Sequence, residues 1–365
     1  MLYLAIDQHR KQLTVNMRNE NGDILLKRQV STVWKRVREF LGDVQKQSQP
    51  EGGFIVILEV CGFNEWLLKL LKEYGCRETI LVQPEKRSKK KTDRRDANAL
   101  GEILWVNRER LLAGKRVQGI RRVHLPSELA AENRQITAAR KRLGQFRTRI
   151  INKIKHILRK HNLQQECPTK GIATLRAIQW LRKLCLGPID RLEMDHLLAQ
   201  WKLCDEQMEP VEAEIELRQA QDPTARLLAS IPGAGKYPAL ALASRIDPIE
   251  RFPCPGSLAN YWGLTPGCRN SGEVTDRLGS ITKQGSAMAR FILGQMILHV
   301  LRKDHAMKGW YRRIKHRRGA KIARVAVMRR LTTIIEQMVK SNQPYVIGGL
   351  PRPTREVQAV EKGCA

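Results

Sequence analysis

The sequence lacks the features of a secreted, membrane or zinc-binding protein. No apolar run approaches the roughly 20 residues of a membrane span, and the first residues predict a strand rather than a signal peptide. The 8 cysteines form neither a C-x-x-C pair nor a Cys/His metal spacing, which favours reduced thiols in the cytosol. We therefore expect a cytoplasmic protein, associated with the nucleoid if its source is bacterial, with no membrane partner.

Acidic residues are scarce relative to basic ones. The 365 residues include 66 Lys and Arg against 36 Asp and Glu, a formal net charge of +30. An excess of this size indicates a polyanionic partner, and nucleic acid is favoured over a membrane surface. The length allows two or three domains with a sizeable core, and the apolar share is that of a globular protein.

Strand and helix signals alternate over the first 106 residues. A turn signal at 19–23 separates two of three predicted N-terminal strands. The predicted strands are 2–7, 13–17, 24–30, 54–58 and 79–82, and the predicted helices are 32–46, 64–74 and one beginning at Asp93. The order βββαβαβα is that of a ribonuclease-H-like α/β domain, which we assign to 1–106, with 107–125 as a linker.

Four acids stand at the ends of these elements. Asp7 and Glu59 end or follow apolar runs, and Asp93 and Asp96 share one helical face if Thr92 caps the helix. Mg²⁺ selects carboxylate oxygens, and two ions about 4 Å apart stabilise both the attacking and the leaving oxygen in phosphodiester chemistry. The acids therefore predict a two-ion Mg²⁺ site. Singly, each could instead be a turn former, a paired buried acid or a helix N-terminal charge.

A basic run surrounds the last two acids and predicts phosphate contacts. Its candidate nucleic-acid-binding residues are Lys86, Arg87, Lys89, Lys90, Lys91, Arg94 and Arg95.

The middle of the chain, 126–222, predicts a coiled-coil helical hairpin. Apolar residues recur every seven positions over about four repeats: Leu129, Ile136, Leu143, Ile150 and Ile157, with Ala139 and Phe146 between them. The other faces of this arm are basic, and the arm that follows Pro168 and Gly171 is acidic, with Pro210 interrupting or starting part of it. Opposite charges favour antiparallel pairing within the chain or pairing between subunits. The basic face could also grip A-form RNA.

Residues 223–342 predict a third, mainly helical domain, followed by a loose tail at 343–365. Its start is typical of a helix-hairpin-helix turn whose amides meet a phosphate, which makes Gly233, Gly235 and Lys236 candidate DNA contacts. Two amphipathic helices are predicted at about 287–302 and 320–340. Between them, basic residues beside aromatics predict further nucleic-acid contacts at Arg312, Arg313, Arg317 and Arg318.

Ser271 lies in a polar loop bounded by glycines, 267–285. A serine nucleophile needs an exposed hydroxyl on a constrained turn and a group to take its proton. A plain surface serine in a turn is commoner. Cys268 is a rival nucleophile without a nearby His in sequence, so residue chemistry alone does not select Ser271.

Taken together, these motifs resemble the DEDD transposases of bacterial insertion sequences, the one-ten family, over nearly the whole chain. The matching segments are Ala5–Asp7, Leu58–Gly62, Lys91–Ala97 (K-T-D-R-R-D-A), Ile231–Gly235, Gly263–Pro266 (G-L-T-P), Ser271–Gly272, Ile281–Gly285 and Arg290. The resemblance implies a RuvC-like domain joined by a coiled coil to a transposase domain. It also implies a composite site in which the acids bind Mg²⁺ and a serine attacks DNA, leaving a phosphoserine link.

By matched position the serine is Ser271, but its flanking residues fit the family pattern less closely than the acids do, and Ser280 lies in the same loop. The resemblance further implies tetramers of two dimers and a structured bridge RNA that pairs with donor and target DNA. We expect an RNA-guided, Mg²⁺-dependent recombinase that excises and inserts its own element. The alternatives are a Holliday-junction-resolvase-type nuclease that uses water, and a non-catalytic nucleic-acid-binding scaffold.

Overall fold

The structure, a computed structural model, describes residues 1–84, 93–268 and 278–348. The chain divides into two compact units, Met1–Leu125 and Pro126–Ala365, and each has its own hydrophobic core. The first unit is mixed α/β and the second is mostly helical. No helix in the described ranges is long and apolar enough to cross a membrane.

The first unit is built on one sheet. Its strands are β1 Leu2–Gln8, β2 Gln12–Arg18, β3 Ile24–Ser31, β4 Phe54–Glu59, β5 Cys76–Pro84 and β6 Ile120–Arg122. The six strands lie in the order β3-β2-β1-β4-β5-β6. β4 pairs parallel with β1 and β5, and the other neighbours are antiparallel. The predicted N-terminal meander is confirmed.

Helices cover both faces of this sheet. They are α1 Trp34–Ser48, α2 Glu65–Glu73, α3 Asp93–Val106 and α4 Arg108–Leu112. Successive side chains of a strand point to opposite faces, so Leu4 and Ile6 pack with α1 and α2. Tyr3 and Ala5 pack on the other side, in the cluster that contains Leu100 of α3. Apolar residues on both faces explain why the central strands read as continuous apolar runs.

The segment 107–125, predicted as a linker, is part of the first unit. It contains α4 and β6, and β6 pairs with β5 through Arg122 and Val82. Leu111 and Ile120 are buried in the unit's core. Buried apolar side chains dock this otherwise basic segment on the core, Leu111, Val117 and Ile120, which composition alone did not indicate.

Long helices dominate the second unit. They are α5 Glu128–Lys160, α6 Leu175–Lys183, α7 Pro188–Gln221, α8 Pro223–Leu228, α9 Lys236–Ile246, α10 Pro255–Tyr261, α11 Ala287–Lys303 and α12 His305–Ser341, with a short hairpin of β7 Pro266–Cys268 and β8 Leu278–Ile281. α12 is kinked at Gly319, where φ is 81°. The predicted basic connection at 310–318 is therefore helical, and it forms the first half of α12.

Helices α5 and α7 pair antiparallel within the chain, one of the two arrangements that the opposite charges favoured. Arg147 Nε lies 2.7 Å from Asp205 Oδ1, and Lys160 Nζ lies 2.8 Å from Asp190 Oδ2. Ion pairs therefore join later residues of α5 to earlier residues of α7. Helix α7 continues through Pro210.

The predicted heptad stripe of α5 is only partly correct. Ile150 and Ile157 are buried, but Leu129 is 58% exposed and Phe146 is 44% exposed. In the first half of the helix the buried positions are small or polar: Ala130, Asn133 and Thr137. The contact face there lies beside the apolar stripe, because α5 packs against both α7 and α9.

The start of the predicted loose tail is attached to the second unit. Tyr345 Oη donates a hydrogen bond to Asp304 Oδ2 at 2.7 Å, and the backbone N–H of Gly348 donates to the same oxygen at 3.0 Å. Asp304 also caps α12 by accepting from Met307 N. Residues 349–365 lie outside the described ranges.

Candidate active site

Asp7 and Glu59 end two neighbouring parallel strands on one face of the sheet. β1 and β4 pair in register through Ile6 and Leu58, so the next residue of each strand stands at the same carboxyl edge. Because side chains alternate along a strand, Asp7 lies on the side of Ala5, which faces α3; the same alternation puts Glu59 there. Asp7 is 8% exposed and Glu59 is half-buried. The structure brings these two predicted acids together.

Helix α3 packs against β2 on this face. Asn98 Oδ1 accepts a hydrogen bond from Asn16 Nδ2 at 3.2 Å. One turn later, a Cβ on Gly101 would lie 2.5 Å from Asn16 Oδ1, so glycine permits this close approach. Arg18 Nη2 lies 2.6 Å from Glu102 Oε2. These contacts fix the position of the helix along the strand.

The beginning of α3 therefore reaches the level of Asp7. From Asn98 back to Asp93, the helix spans about 7.5 Å at ~1.5 Å per residue. From Asn16 to Thr14, β2 spans about 6.8 Å at ~3.4 Å per residue. Thr14 is the register partner of Asp7. The first turn of α3 and the carboxyl edge of β1 lie at the same height along the sheet.

The side chains of Asp93 and Asp96 lie outside the described part of the structure. The helix begins at Asp93 as predicted, and both residues belong to its first turn. Among the side chains that are described, no group of three or more His, Cys, Asp or Glu could hold a metal ion. The side chains of two of the four predicted ligands are not among those described, so the four-acid site stays a prediction.

Buried amides that sequence patterns missed fix the two strand ends. Asn64 Nδ2 donates to Gln8 Oε1 at 2.8 Å and to the backbone oxygen of Glu59 at 3.2 Å. Gln8 Nε2 donates to the backbone oxygen of Phe63 at 3.0 Å. Gln8 and Asn64 are 6% and 5% exposed. The end of β1 is thereby tied to the turn after β4, which holds the two acids in position.

Further polar groups lie beside Asp7. His9 Nε2 is 3.1 Å from Asp7 Oδ2. Thr14 and Asn16 are 3% and 1% exposed, and Thr14 Oγ1 and Asn16 Oδ1 have no hydrogen-bond partner among the described residues. A buried polar atom left unpaired costs about 1–3 kcal/mol. Carboxylate, hydroxyl and amide oxygens are the hard donors that suit Mg²⁺ and its bound water, so these residues fit a magnesium site.

A rigid backbone clamp holds the base of the Ser271 loop. Gly263 has φ 67°, and a Cβ there would lie 2.0 Å from the backbone oxygen of Gln284; Gly285 has φ 78°, and its Cβ would lie 1.9 Å from the backbone oxygen of Tyr261. Arg290 Nη1 donates to the backbone oxygen of Trp262 at 2.9 Å. Glycine is required at both positions, which explains the G-L-T-P and T-K-Q-G segments physically.

Several predicted site residues fall outside the described ranges. Ser271 is one, with Lys86, Arg87, Lys89, Lys90 and Lys91; Arg94 and Arg95 belong to α3, but their side chains are not described. The rival Ser280 is exposed on β8, and the side chain of Cys268 is not described.

The candidate residues of the glycine turn lie between α8 and α9. Gly233 has φ 86°, and a Cβ there would lie 2.7 Å from His299 Cβ. Gly235 precedes the first residue of α9. Lys236 forms an ion pair with Glu216, so its charge is already partly compensated within the unit.

The basic cluster of α12 lies on an open depression of about 740 Å³. Arg312, Arg313, Arg317 and Arg318 are exposed. Trp310 packs against the core of the unit, and the guanidinium of Arg330 lies 4.9 Å from its ring centroid. The arrangement offers several exposed cations beside an aromatic ring that packs on the core.

The chain matches two family models and is similar in sequence to known transposases. Residues 225–312 match the model of the transposase IS116/IS110/IS902 family, and residues 4–163 match that of the IS110 DEDD transposases; together they cover more than half of the chain. The chain is 26% identical over 303 residues to the transposase for insertion sequence element IS1111A of Coxiella burnetii, covering 80% of this chain and 79% of that protein. It is 28% identical over 232 residues to the y4qE protein of Sinorhizobium fredii, covering 62% and 53% respectively.

Proposed function

Because the chain belongs to the IS110 family of DEDD transposases and is a DNA-acting enzyme, we propose that it excises and inserts a mobile element under the guidance of a structured bridge RNA. The residues assigned to strand cleavage are Asp7, Glu59, Asp93, Asp96 and Ser271. The observation that carries the proposal is the position of Asp7 and Glu59. They stand on one face of the sheet, at the same edge of β1 and β4, at the level where α3 begins.

The acids are proposed to hold Mg²⁺ in a RuvC-like site. Family membership suggests dependence on a divalent metal, and the described oxygens of Asp7 and Glu59 suit Mg²⁺. A bound pair of ions would stabilise charge on the attacking and leaving oxygens of a phosphodiester. Gln8 and Asn64 keep the two strand ends together, and the burial of Asp7 limits competition from water.

Ser271 is proposed to attack the scissile phosphate. Its Oγ forms a bond to phosphorus while the bond from phosphorus to the departing strand's oxygen breaks. The hydroxyl proton passes to a general base, and the departing oxygen takes up a proton. The product is a phosphoserine link, which the next strand's hydroxyl reverses to complete the exchange. The clamp around Gly263 and Gly285 supports this role, because it brings together the backbone on either side of the segment that carries the serine.

RNA guidance requires basic surfaces for two nucleic acids. The exposed arginines of α12 beside Trp310 suit a single or distorted strand, and the basic face of α5 suits the backbone of a folded RNA. We assign these surfaces to nucleic acid as a class without dividing them between RNA and DNA.

The chain is also proposed to act as a homo-oligomer, a tetramer of two dimers. Helix α7 exposes four large apolar side chains on the side away from the hairpin, Ile189, Leu192, Leu203 and Leu217. They fall at heptad positions but are separated by polar residues such as His196 and Glu206, and an exposed seam of this kind suits contact with another helix. Since α7 already pairs with α5 inside the chain, this seam remains for a second copy.

Covalent trapping tests the nucleophile. With donor DNA, bridge RNA and Mg²⁺, wild type should form a protein–DNA adduct that survives denaturation, and Ser271→Ala should not. Ser280→Ala is the matched control and should retain the adduct. Strand cleavage by Ser271→Ala at the wild-type rate would favour the resolvase-type alternative that uses water. No cleavage by wild type, with nucleic-acid binding unchanged in Asp93→Ala, would favour the non-catalytic scaffold.

A further inference from the structure

Three arginines converge on the carboxyl end of α9. Arg245 Nη1 donates to the backbone oxygen of Ala241 at 2.8 Å. Arg134 Nε donates to the backbone oxygen of Ser244 at 2.7 Å, and Arg251 Nη2 donates to that of Arg245 at 3.1 Å. Arg245 is only 9% exposed. None of these arginines is among the nucleic-acid contacts that sequence patterns predict.

The cluster has too little negative charge around it. In the part of the chain that the structure describes, no carboxylate lies within 4.0 Å of Arg134, Arg245 or Arg251. Asp247 is the nearby acid, and its Oδ2 accepts from the backbone N–H of Ser127 at 3.0 Å. Burial, and then the like charge of Arg134, lower the pKa of Arg245 to about 10.

Helix capping alone does not balance this charge. The carboxyl end of a helix carries about half a negative charge, and one carboxylate adds one more, against three guanidinium groups. Nη2 of Arg134 is buried and has no hydrogen-bond partner among the described residues. The cluster therefore has both positive charge and donor capacity in excess of what the described residues of its unit supply.

Arg218 shows how the same unit treats an arginine with a structural role. Its guanidinium lies 2.8 Å from Glu132 Oε2 and 2.5 Å from Glu214 Oε1. The hydrogen bonds that Arg218 donates to these two carboxylates raise its pKa. The contrast between Arg218 and Arg245 shows that the described residues give Arg245 no comparable counter-charge.

Cations in and near the cluster lie against partly exposed aromatic rings. The guanidinium of Arg251 lies 4.2 Å from the ring centroid of Tyr261, which is 36% exposed. Lys141, two turns after Arg134 on α5, lies 4.5 Å from the ring centroid of Phe291. Cations interleaved with exposed rings are typical of a surface that follows a nucleic-acid strand.

We propose that Arg134, Arg245 and Arg251 form a binding site for a phosphodiester group of a nucleic-acid strand, with Tyr261 as the adjacent platform for a base or sugar. Tyr261 directly precedes the clamp around Gly263, so the site fixes the strand beside the base of the Ser271 loop. That the anion belongs to a nucleic acid rests on the proposed function, whereas the existence of the anion site does not.

Three variants with the same loss of one positive charge test the proposal in the full-length protein. Pyrophosphate should raise the Tm of wild type and of the control Arg218→Met by the same amount, and should raise that of Arg245→Met and Arg134→Gln by less than half as much. Without pyrophosphate, Arg245→Met should match or exceed the Tm of wild type, because an uncompensated buried charge has been removed, whereas Arg218→Met should unfold at a lower temperature. Equal pyrophosphate shifts in all four proteins would overturn the proposal.

Binding of fluorescent single-stranded oligonucleotides then identifies the source of the phosphate. Arg245→Met should weaken binding uniformly across sequences and reduce the slope of log K against log salt by about 1 relative to Arg218→Met. Matched DNA and RNA oligonucleotides show which kind of strand the site holds, because Arg245→Met should lose affinity for that kind of strand. If wild type binds neither, the proposed function fails; if wild type binds and Arg245→Met binds equally well, the phosphodiester site fails and the proposed function stands. The affinity of an Arg245→Lys variant, which keeps the charge, should lie between those of wild type and Arg245→Met. This result excludes loss of folding as the cause of the weaker binding.

Discussion

At the scale of single residues, the candidate site depends on buried polar side chains that no local pattern reveals. Thr14 is the register partner of Asp7, and its hydroxyl is buried without a partner among the described residues. A buried, unpaired hydroxyl in that position lowers the stability of the fold unless it takes part in the site formed by the acids beside it.

Thr14→Val tests that role. Valine has the same shape without the unpaired hydroxyl, so we expect the free energy of unfolding without metal to rise by about 1 kcal/mol. The stabilisation of the protein by Mg²⁺ should fall at the same time, and Thr14→Ser should retain it. Chemical denaturation with and without Mg²⁺ measures both quantities. An unchanged response to Mg²⁺ in Thr14→Val would mean that the hydroxyl has no part in the site.

Gly263→Ala tests the clamp. A Cβ at this positive φ would overlap the backbone oxygen of Gln284, and left-handed backbone alone costs an ordinary residue about 1–2 kcal/mol. We expect a loss of at least about 2 kcal/mol of stability and no trapped adduct. Gly267→Ala, whose Cβ would have only an ordinary contact 3.6 Å from Ser280 O, should lose neither. A stable Gly263→Ala protein that forms the adduct would contradict the clamp.

At the scale of elements, the sequence predicted most strands and helices, and the pairing of β1, β2 and β3, but not all of the contacts between elements. The apolar runs identified β1, β2, β3 and β4, and the K-T-D segment correctly located the start of α3 at Asp93. Among the missed elements was β6, a short strand in which Ile120 is the one apolar residue, followed by two arginines. The heptad of α5 was misplaced in its first half because Ala130 and Thr137, rather than Leu129, face neighbouring helices.

The candidate site was predictable to a similar degree. Asp7 and Glu59 could be identified because each stands at the end of an apolar run, and such runs mark the ends of strands in a sequence. Gln8 and Asn64 could not be found in this way, since their hydrogen bond joins residues 56 positions apart. Long-range pairing of polar groups depends on the register of parallel strands, which a single sequence does not encode locally.

Helix α7 provides the element-scale prediction. The double variant Leu203→Glu/Leu217→Glu places charges on the exposed seam without altering the buried face of the hairpin. We expect a shift from the tetramer or dimer to a smaller species in sedimentation equilibrium, with the helical circular dichroism unchanged. The control Gln200→Glu/Gln207→Glu, which adds the same charge at exposed polar positions of α7, should retain the wild-type mass. The same mass for both variants would show that copies do not meet through this seam.

At the scale of the whole molecule, a net charge of +30 dominates encounter with nucleic acid. Contacts to 6–10 phosphates lower affinity by about 10³–10⁵ between 50 and 200 mM salt. We therefore expect non-specific duplex binding to fall steeply over this range, and fluorescence anisotropy at several salt concentrations measures the slope. Nearly salt-independent binding would contradict an interface made mainly of phosphate contacts.

The account as a whole depends on acids from distant parts of the chain sharing one cation site. Calorimetric titration with Mg²⁺ tests this most directly, on wild type, on Asp7→Asn, Glu59→Gln, Asp93→Asn and Asp96→Asn, and on the control Asp205→Asn in the helical hairpin. We predict that each of the four site variants loses at least about tenfold in Mg²⁺ affinity, because each removes a carboxylate ligand, and that Asp205→Asn binds like wild type. Wild-type affinity in either Asp93→Asn or Asp96→Asn would contradict the four-acid site.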